Sequence, residues 1–479
     1  MPSKEWNFFE EVHVTSPIMK NNIQAILLSI ILAQSLNAFG QTYHMPGEDL
    51  EHEGTWLQWP HNNLYGPYYQ GEVEDGWVTM TNALQTGEMV HIIAYDQVHK
   101  THIIDKLTTA SVPMGNVDIS VFPTDDVWVR DNGPVFVYDE NDNLQILDWG
   151  FNGWGNDTPY ALCDVIPQSV STLTGIPRID LSAMVLEGGS IEHDGHGTMI
   201  ATRSSVTHSS RNPGLSEAQI EVYLTTYLGI TNFIWLDGVY GQDITDHHID
   251  GFVKFANDNT IITMDSTDLD YWFVSGSEID LIYNATDVNN DPYNFVTVPL
   301  TQNNVQTMFG NDLGIKGSYC NYYIGNDAIL VPIYNDPSDA IALNIIQSVY
   351  PARTVVGINV QNLYEYGGMT HCVTQQQPVT LPTAMIQDVN KDQGRINQNF
   401  PNPFSNFTTI EFEVEQNSLI EVEVRDINSR LVQQHKKKLY TSGKHSITFN
   451  AHDLESGIYY YQFVVNGNHL EVKKMLVQK

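Results

Sequence analysis

Cysteine is scarce: Cys163, Cys320 and Cys372 are the only three in 479 residues. That excludes a disulfide-stapled scaffold, and the odd number leaves at least one thiol unpaired. Positive charge is scarce as well. Against 57 Asp and Glu stand 22 Lys and Arg, a formal net charge of -35. A field of that sign repels nucleic acid and anionic membranes and concentrates cations. A cationic small molecule or basic peptide is therefore a permitted partner, although an acidic surface serves solubility equally well. Apolar runs long enough to span a bilayer are also missing: AILLSIILA, over 25–33, falls well short of the ~20 residues a membrane helix needs. No helix-borne H-E-x-x-H and no close cysteine pair is present, so the usual zinc frameworks are absent. No internal repeat is legible.

What remains describes a globular protein. Apolar residues make up 42%, aromatics 11% and charged residues only 16%, enough to bury large cores, and the length suits two domains plus targeting segments. The charge is unevenly spread. Residues 1–394 hold 12 Lys and Arg against 48 Asp and Glu, whereas 395–479 hold 10 against 9. This shift sets a boundary near Gly394.

The apolar run at 25–33 follows Lys20 and precedes Ser35, Ala38 and Gly40, the order of a secretory signal peptide, so the mature chain is expected to begin at Gln41. Glu5, Glu10 and Glu11 do not suit the basic start of such a peptide. Met19 is therefore the expected true start, with 1–18 an upstream extension and 1–40 removed or untranslated.

The far end reads differently. After an expected linker over 381–396, segments Ile410–Val414, Ile420–Val424, His445–Phe449 and Tyr459–Val465 alternate apolar and polar residues between Asn, Gly and Ser turns. They predict a small all-β, immunoglobulin-like sandwich over 397–479. Pro401-Asn402-Pro403-Phe404, Thr408-Thr409-Ile410, Leu454-Glu455-Ser456-Gly457-Ile458-Tyr459-Tyr460 and Lys473-Lys474-Met475-Leu476-Val477 follow in order. The segment resembles the C-terminal sorting domain of the type IX secretion system. The resemblance implies passage through the periplasm, recognition by the type IX machinery, and a secreted or cell-surface protein without a transmembrane helix in the mature chain. A carbohydrate-binding or adhesive sandwich is the alternative.

Between these ends, 41–380 carries the chemistry. Asp125-Asp126-Val127-Trp128-Val129-Arg130-Asp131-Asn132-Gly133-Pro134 places Asp131 before a turn at the mouth of a strand. Leu186-Glu187-Gly188-Gly189-Ser190 offers Glu187 beside glycines that let backbone approach a ligand. In Asp246-His247-His248-Ile249-Asp250, an extended strand would turn His248 and Asp250 to one face. Gly367-Gly368-Met369-Thr370-His371-Cys372 ends on a candidate nucleophile. Together these acids, a histidine and a thiol suit a guanidinium: carboxylates match its forked N-H donors, and its resonance-protected carbon demands a soft nucleophile and a proton donor for departing ammonia. The bland readings are a turn salt bridge for Asp131 and core thiols for Cys163 and Cys320. A metal site built on His247, His248, Asp250 and His371 also stays open at this point.

Residues 45–378 resemble the agmatine deiminase and bacterial peptidylarginine deiminase family. The likeness rests on Met45-Pro46-Gly47-Glu48, Trp59-Pro60-His61-Asn62, the four motifs above, Asp148-Trp149-Gly150-Phe151-Asn152-Gly153-Trp154-Gly155, Arg211-Asn212-Pro213, Ser318-Tyr319-Cys320-Asn321-Tyr322-Tyr323 and Gln375-Gln376-Gln377-Pro378, in family order. It implies an α/β propeller of five αβ units around a central site without metal or cofactor. It further implies that Cys372 attacks the guanidinium carbon, His248 moves the protons, and Asp131 and Asp250 grip the nitrogens. Trp128, Glu187, Asp246 and Asn321 would complete the substrate pocket. His247 departs from a family glycine, and Met369 from a small residue. Agmatine is the expected substrate, because the loop GFNGWGNDTP over 150–159 has no Lys or Arg for a substrate carboxylate; peptidyl-arginine, and a non-catalytic binding protein on the same scaffold, are the alternatives.

Overall fold

The computed structural model describes residues 43–380, 395–414, 417–426, 431–452, 454–465 and 468–479. The expected signal peptide and most of the expected linker lie outside them. The described chain forms two compact units, one of residues within 43–140 and 144–379 and one of 141–143 with residues within 380–479. Among the described residues no helix is long and apolar enough to cross a membrane.

The larger unit repeats one pattern five times, although no repeat is legible in its sequence. A short leading strand pairs antiparallel with a central strand, which runs parallel to a third. The leading strands are Val135–Tyr138, Ile191–His193, Val253–Asn257, Tyr323–Ile324 and Gln375–Pro378. Their antiparallel partners are Leu144–Gly150, Thr198–Thr202, Thr260–Thr263, Ala328–Ile333 and His52–Gln58. The last pairing joins the end of the unit to its beginning. Parallel neighbours cannot be joined by a tight hairpin, so each central strand reaches its partner through a helical crossover. Tyr69–Leu84, Ile166–Thr174, Glu217–Leu228, Gly276–Tyr283 and Asp339–Val349 serve this purpose.

Local chemistry explains these helices. Ser216 and Gln219 form a reciprocal capping box at the start of Glu217–Leu228, and Gly229 ends it in the left-handed conformation at φ 75°. Ile220, Leu224 and Leu228 then recur on its buried face. Ser275 and Glu278 cap Gly276–Tyr283 in the same way. Trp59 and Trp77 are fully buried between the first sheet and its helix, each adding on the order of 2–3 kcal/mol by removing its ring from water.

Among its described residues the smaller unit is all β. One sheet orders Arg395–Ile396, Phe407–Val414 and Gly443–Asn450; the other orders Leu431–Tyr440, Ser418–Asp426, Gly457–Val465 and Asn468–Val477. Inward residues of both, including Ile410, Phe412, Val422, Phe449, Tyr461 and Phe463, share one core. The four alternating segments read from the sequence fall inside these strands, and Arg395–Ile396, at the end of the expected linker, pairs with Phe412 and Glu413.

Candidate active site

Each leading strand of the larger unit is preceded by a short irregular segment, and these segments carry the chemistry. Asp131 lies in the helical turn Val129–Asn132 before Val135; Glu187 heads the turn Gly188–Ser190 before Ile191. His248 and Asp250 occupy the turn at Ile249–Gly251 before Val253; Asn321 precedes Tyr323; Cys372 lies in the turn His371–Val373 before Gln375. The repeat thus delivers one piece of the site per unit.

The expectation of a strand through His248 and Asp250 is corrected. Asp246 and His247 have φ values of 59° and 74°, left-handed conformations that an extended strand does not contain. The positive φ at 247 is the region that favours glycine. Here the histidine is held in it by stacking on Phe252 at 4.8 Å and by a 2.9 Å contact from its Nε2 to the Trp272 carbonyl.

His248 and Asp250 nevertheless converge with Asp131. A Cβ on Gly189 would lie 2.7 Å from His248 Nδ1, 2.9 Å from Asp250 Oδ2 and 3.0 Å from Asp131 Oδ1. The three groups therefore pack together against Gly189, and only glycine leaves room for them. The Gly189 amide itself donates to Asp131 Oδ1 at 3.0 Å, and Trp154 Nε1 donates to Oδ2 at 3.0 Å. His248 Nε2 sits 2.8 Å from Glu187 Oε2, with Nδ1 3.8 Å from Asp131. Cys372 Sγ lies 3.9 Å from Asp250 Oδ2 and 3.4 Å from Asn321 Nδ2. Trp128 packs its indole on Gly368, where a Cβ would approach Cζ3 to 2.2 Å, and meets Trp154 edge to face at 6.5 Å.

Asp246 makes a different kind of contact. Its two oxygens are occupied by Arg211 Nη1 at 2.5 Å and the Gly241 amide at 2.7 Å. Arg211 also donates from Nε to Glu187 Oε1 at 2.7 Å, so this buried arginine ties Asp246 to Glu187 and through it to His248.

The electrostatics follow from burial among like charges. Burial pushes Asp131 up to about 6, helped by Glu187 and Asp250 and opposed by His248. For His248, burial disfavours the charged form, but Asp131, Glu187 and Asp250 outweigh it and raise the ring to about 9. Asp250 is held below the usual carboxylate range because His371, His248 and Lys254 overcome its burial. Burial, then Asp250 and Asp131, push the Cys372 thiol well above its ordinary value. The site in this form favours a thiol beside an imidazolium. Cys163 and Cys320 are free and buried, and burial raises both to about 12, which suits core thiols.

A second buried set escaped the sequence reading as a functional unit. Lys254 Nζ lies 2.9 Å from Glu48 Oε2, 3.1 Å from Glu192 Oε1 and 2.9 Å from His371 Nε2. Arg130 reaches Glu48 Oε2 at 3.3 Å and Gln376 Oε1 at 2.8 Å. One signal was available: a lysine inside the apolar strand Val253–Asn257 must find an anion if that strand is buried. Among the described residues, no group of three or more His, Cys, Asp or Glu side chains is arranged to hold a metal ion.

Comparison with known proteins identifies the family and the fold. The chain is 30% identical over 358 residues to an agmatine deiminase of Pseudomonas aeruginosa, covering 70% of this chain and 95% of that protein. The solved agmatine deiminase of Enterococcus faecalis shares the fold at a TM-score of 0.64 and 24% identity, over 71% of this chain and 96% of that one. A C. jejuni agmatine deiminase with substrate bound does so at 0.61 and 24%, over 71% and 97%. Residues 398–478 match the secretion-system C-terminal sorting domain, which marks the protein for secretion or the cell surface. Residues 44–378 match the Porphyromonas-type peptidyl-arginine deiminase family, and the chain belongs to that family.

Proposed function

We propose that this chain is an exported agmatine deiminase, hydrolysing agmatine to N-carbamoylputrescine and ammonia. The observation that carries the reading is the convergence of Asp131, His248 and Asp250 beside Gly189, with Cys372 Sγ next to Asp250. A guanidinium held between Asp131 and Asp250 meets carboxylates that match its N-H donors. Its positive charge offsets the anions that keep the thiol protonated, so substrate binding itself favours the thiolate. The thiol releases its proton to solvent, the sulfur forms a bond to the guanidinium carbon, His248 gives its proton to the departing nitrogen, and the C-N bond breaks as ammonia leaves. The neutral His248 next takes a proton from water as the water oxygen attacks the thiouronium carbon; the C-S bond breaks, the remaining hydroxyl proton passes to the departing sulfur, and the ureido product is released. Asp131 and Asp250 hold the nitrogens, Trp128 and Asn321 border the pocket, and Glu187 orients His248. Asp246 acts through Arg211.

On this reading the five units form a propeller around the site, which the recurrence of a site segment before every leading strand supports. An immunoglobulin-like sandwich over 397–479 directs the chain outward after a signal peptide within 1–40 and periplasmic transit, with 41–380 as the catalytic domain and 381–396 as the linker. The absence of Lys and Arg from 150–159 supports an amine over a carboxylate at the far end of the substrate. A second reading, a peptidylarginine deiminase, is favoured by the sorting domain, because an exported enzyme meets extracellular peptides.

Ammonia release from agmatine, free arginine and arginine-containing peptides decides between them. The agmatine reading expects the highest kcat/KM for agmatine, and a higher value for peptides overturns it. Cys372→Ala is expected to abolish turnover; retained turnover would remove the covalent mechanism. Mass spectrometry of the exported protein tests the sorting role, since a tail still ending at Lys479 would contradict it.

A further inference from the structure

We propose that His371 is a positioning residue of this site, a reading that rests on the deiminase function above: bridging Asp250 and Glu48 through its two ring nitrogens, it holds the Asp250 carboxylate in place for the guanidinium. Nδ1 lies 2.8 Å from Asp250 Oδ2, and Nε2 lies 2.8 Å from Glu48 Oε2. The Asp250 carboxylate is an acceptor, so Nδ1 donates to it, while Nε2 meets both the Glu48 carboxylate and, at 2.9 Å, the Lys254 ammonium.

The surroundings support that role. Glu48, Glu192 and Asp250 face Arg130, Lys254 and His371, and all six side chains are buried. Removing one member of this network leaves a buried polar or charged partner uncompensated in the interior. Burial alone would raise Glu48, but Lys254, His371 and Arg130 hold it well below the ordinary carboxylate range.

Two details tie this network to chemistry beyond packing. The Asp250 oxygen that meets His371 is the one 3.9 Å from Cys372 Sγ. The His371 amide also donates to Asn321 Oδ1 at 2.9 Å, while Asn321 Nδ2 contacts Cys372 Sγ. One residue therefore orients the anion, the nucleophile's neighbour and, through the turn His371–Val373, the nucleophile itself.

Two substitutions separate the ring's two bonds. In His371→Asn the amide nitrogen falls near the Nδ1 position and can keep the Asp250 bond; in His371→Gln it falls near Nε2 and keeps only the Glu48 bond. Both lose the ring, so a purely structural role predicts equal damage. The positioning role predicts that the Gln variant loses at least about 10-fold more kcat/KM than the Asn variant, chiefly through KM. It also predicts a steeper acid limb of the pH profile in the Gln variant, because Asp250 then titrates alongside Asp131. Equal losses, or a Gln variant with the native acid limb, overturn the proposal. If the Gln variant does not fold, Glu48→Gln serves: it removes the anion that Nε2 meets, and native KM and pH dependence there would overturn it too. The two readings fail separately, since a native protein that releases no ammonia from any guanidine removes the deiminase function itself.

Discussion

Replacing Glu187 by glutamine tests the electrostatic design of the site. His248 must be protonated to give its proton to departing ammonia, and Asp131 must be ionised to hold the guanidinium. With Asp131 at about 6 and His248 at about 9, kcat/KM for agmatine is expected to form a plateau between those values, falling on both sides. The sign is set by which form works. His248 is raised by its neighbours, so its useful charged form is complete well below about 9 and is lost as pH rises through it. Glu187 Oε2, 2.8 Å from Nε2, supplies part of that rise. A hydrogen bond to a charged group is worth about 1.5–3 kcal/mol and a neutral one about 1, so the glutamine forfeits on the order of 1–1.5 kcal/mol. At 1.36 kcal/mol per unit, the alkaline limb should move down by about one unit, toward pH 8. The assay is ammonia release at agmatine concentrations far below KM, scanned from about pH 5 to about pH 10. An alkaline limb that stays at about 9, or moves up, would refute the assignment of His248 as the acid. Arg211 loses one of its two carboxylates in this variant, so a lower Tm should accompany the shift.

Gly189→Ala should leave the fold formed yet reduce kcat/KM by ~100-fold or more, because the methyl would press on His248, Asp250 and Asp131 and displace them; near-native kinetics would place the reacting centre elsewhere. Asp131→Asn should abolish turnover while speeding iodoacetamide alkylation of Cys372 at pH 8, since one of the anions that raises the thiol is gone. Slower alkylation than in the native protein would contradict that cause. At His91, burial lowers the ring but Asp118 and Glu53 outweigh it and raise it to about 9. This stabilisation is complete below the unfolded value near 6.5 and lost as pH rises through about 9. His91→Gln should therefore lower Tm more at pH 6 than at pH 9.5, and thermal melts showing an equal loss at both would rule it out.

Much of this site was legible because its groups sit in short motifs whose composition is chemical. Asp131, Glu187, His248, Asp250 and Cys372 stand beside turn-forming residues, and the structure brings them together. The fivefold repeat was hidden because the units share strand order while differing in length and side chains; backbone hydrogen bonding carries the pattern, and many sequences satisfy it. Strand geometry failed at His248 because the positive φ at Asp246 and His247 belongs to residues that do not announce it. Arg211 and Glu48 were visible as parts of motifs, but their partners were not.

By itself, then, the sequence determined the chemistry on offer: a thiol, a histidine and several acids, on an acidic chain ending in an alternating β segment. Which of these groups share one site was decided only by tertiary structure. Pairings such as Glu48 with His371, 323 positions apart, leave no local trace, because burial and charge balance are properties of the packed interior.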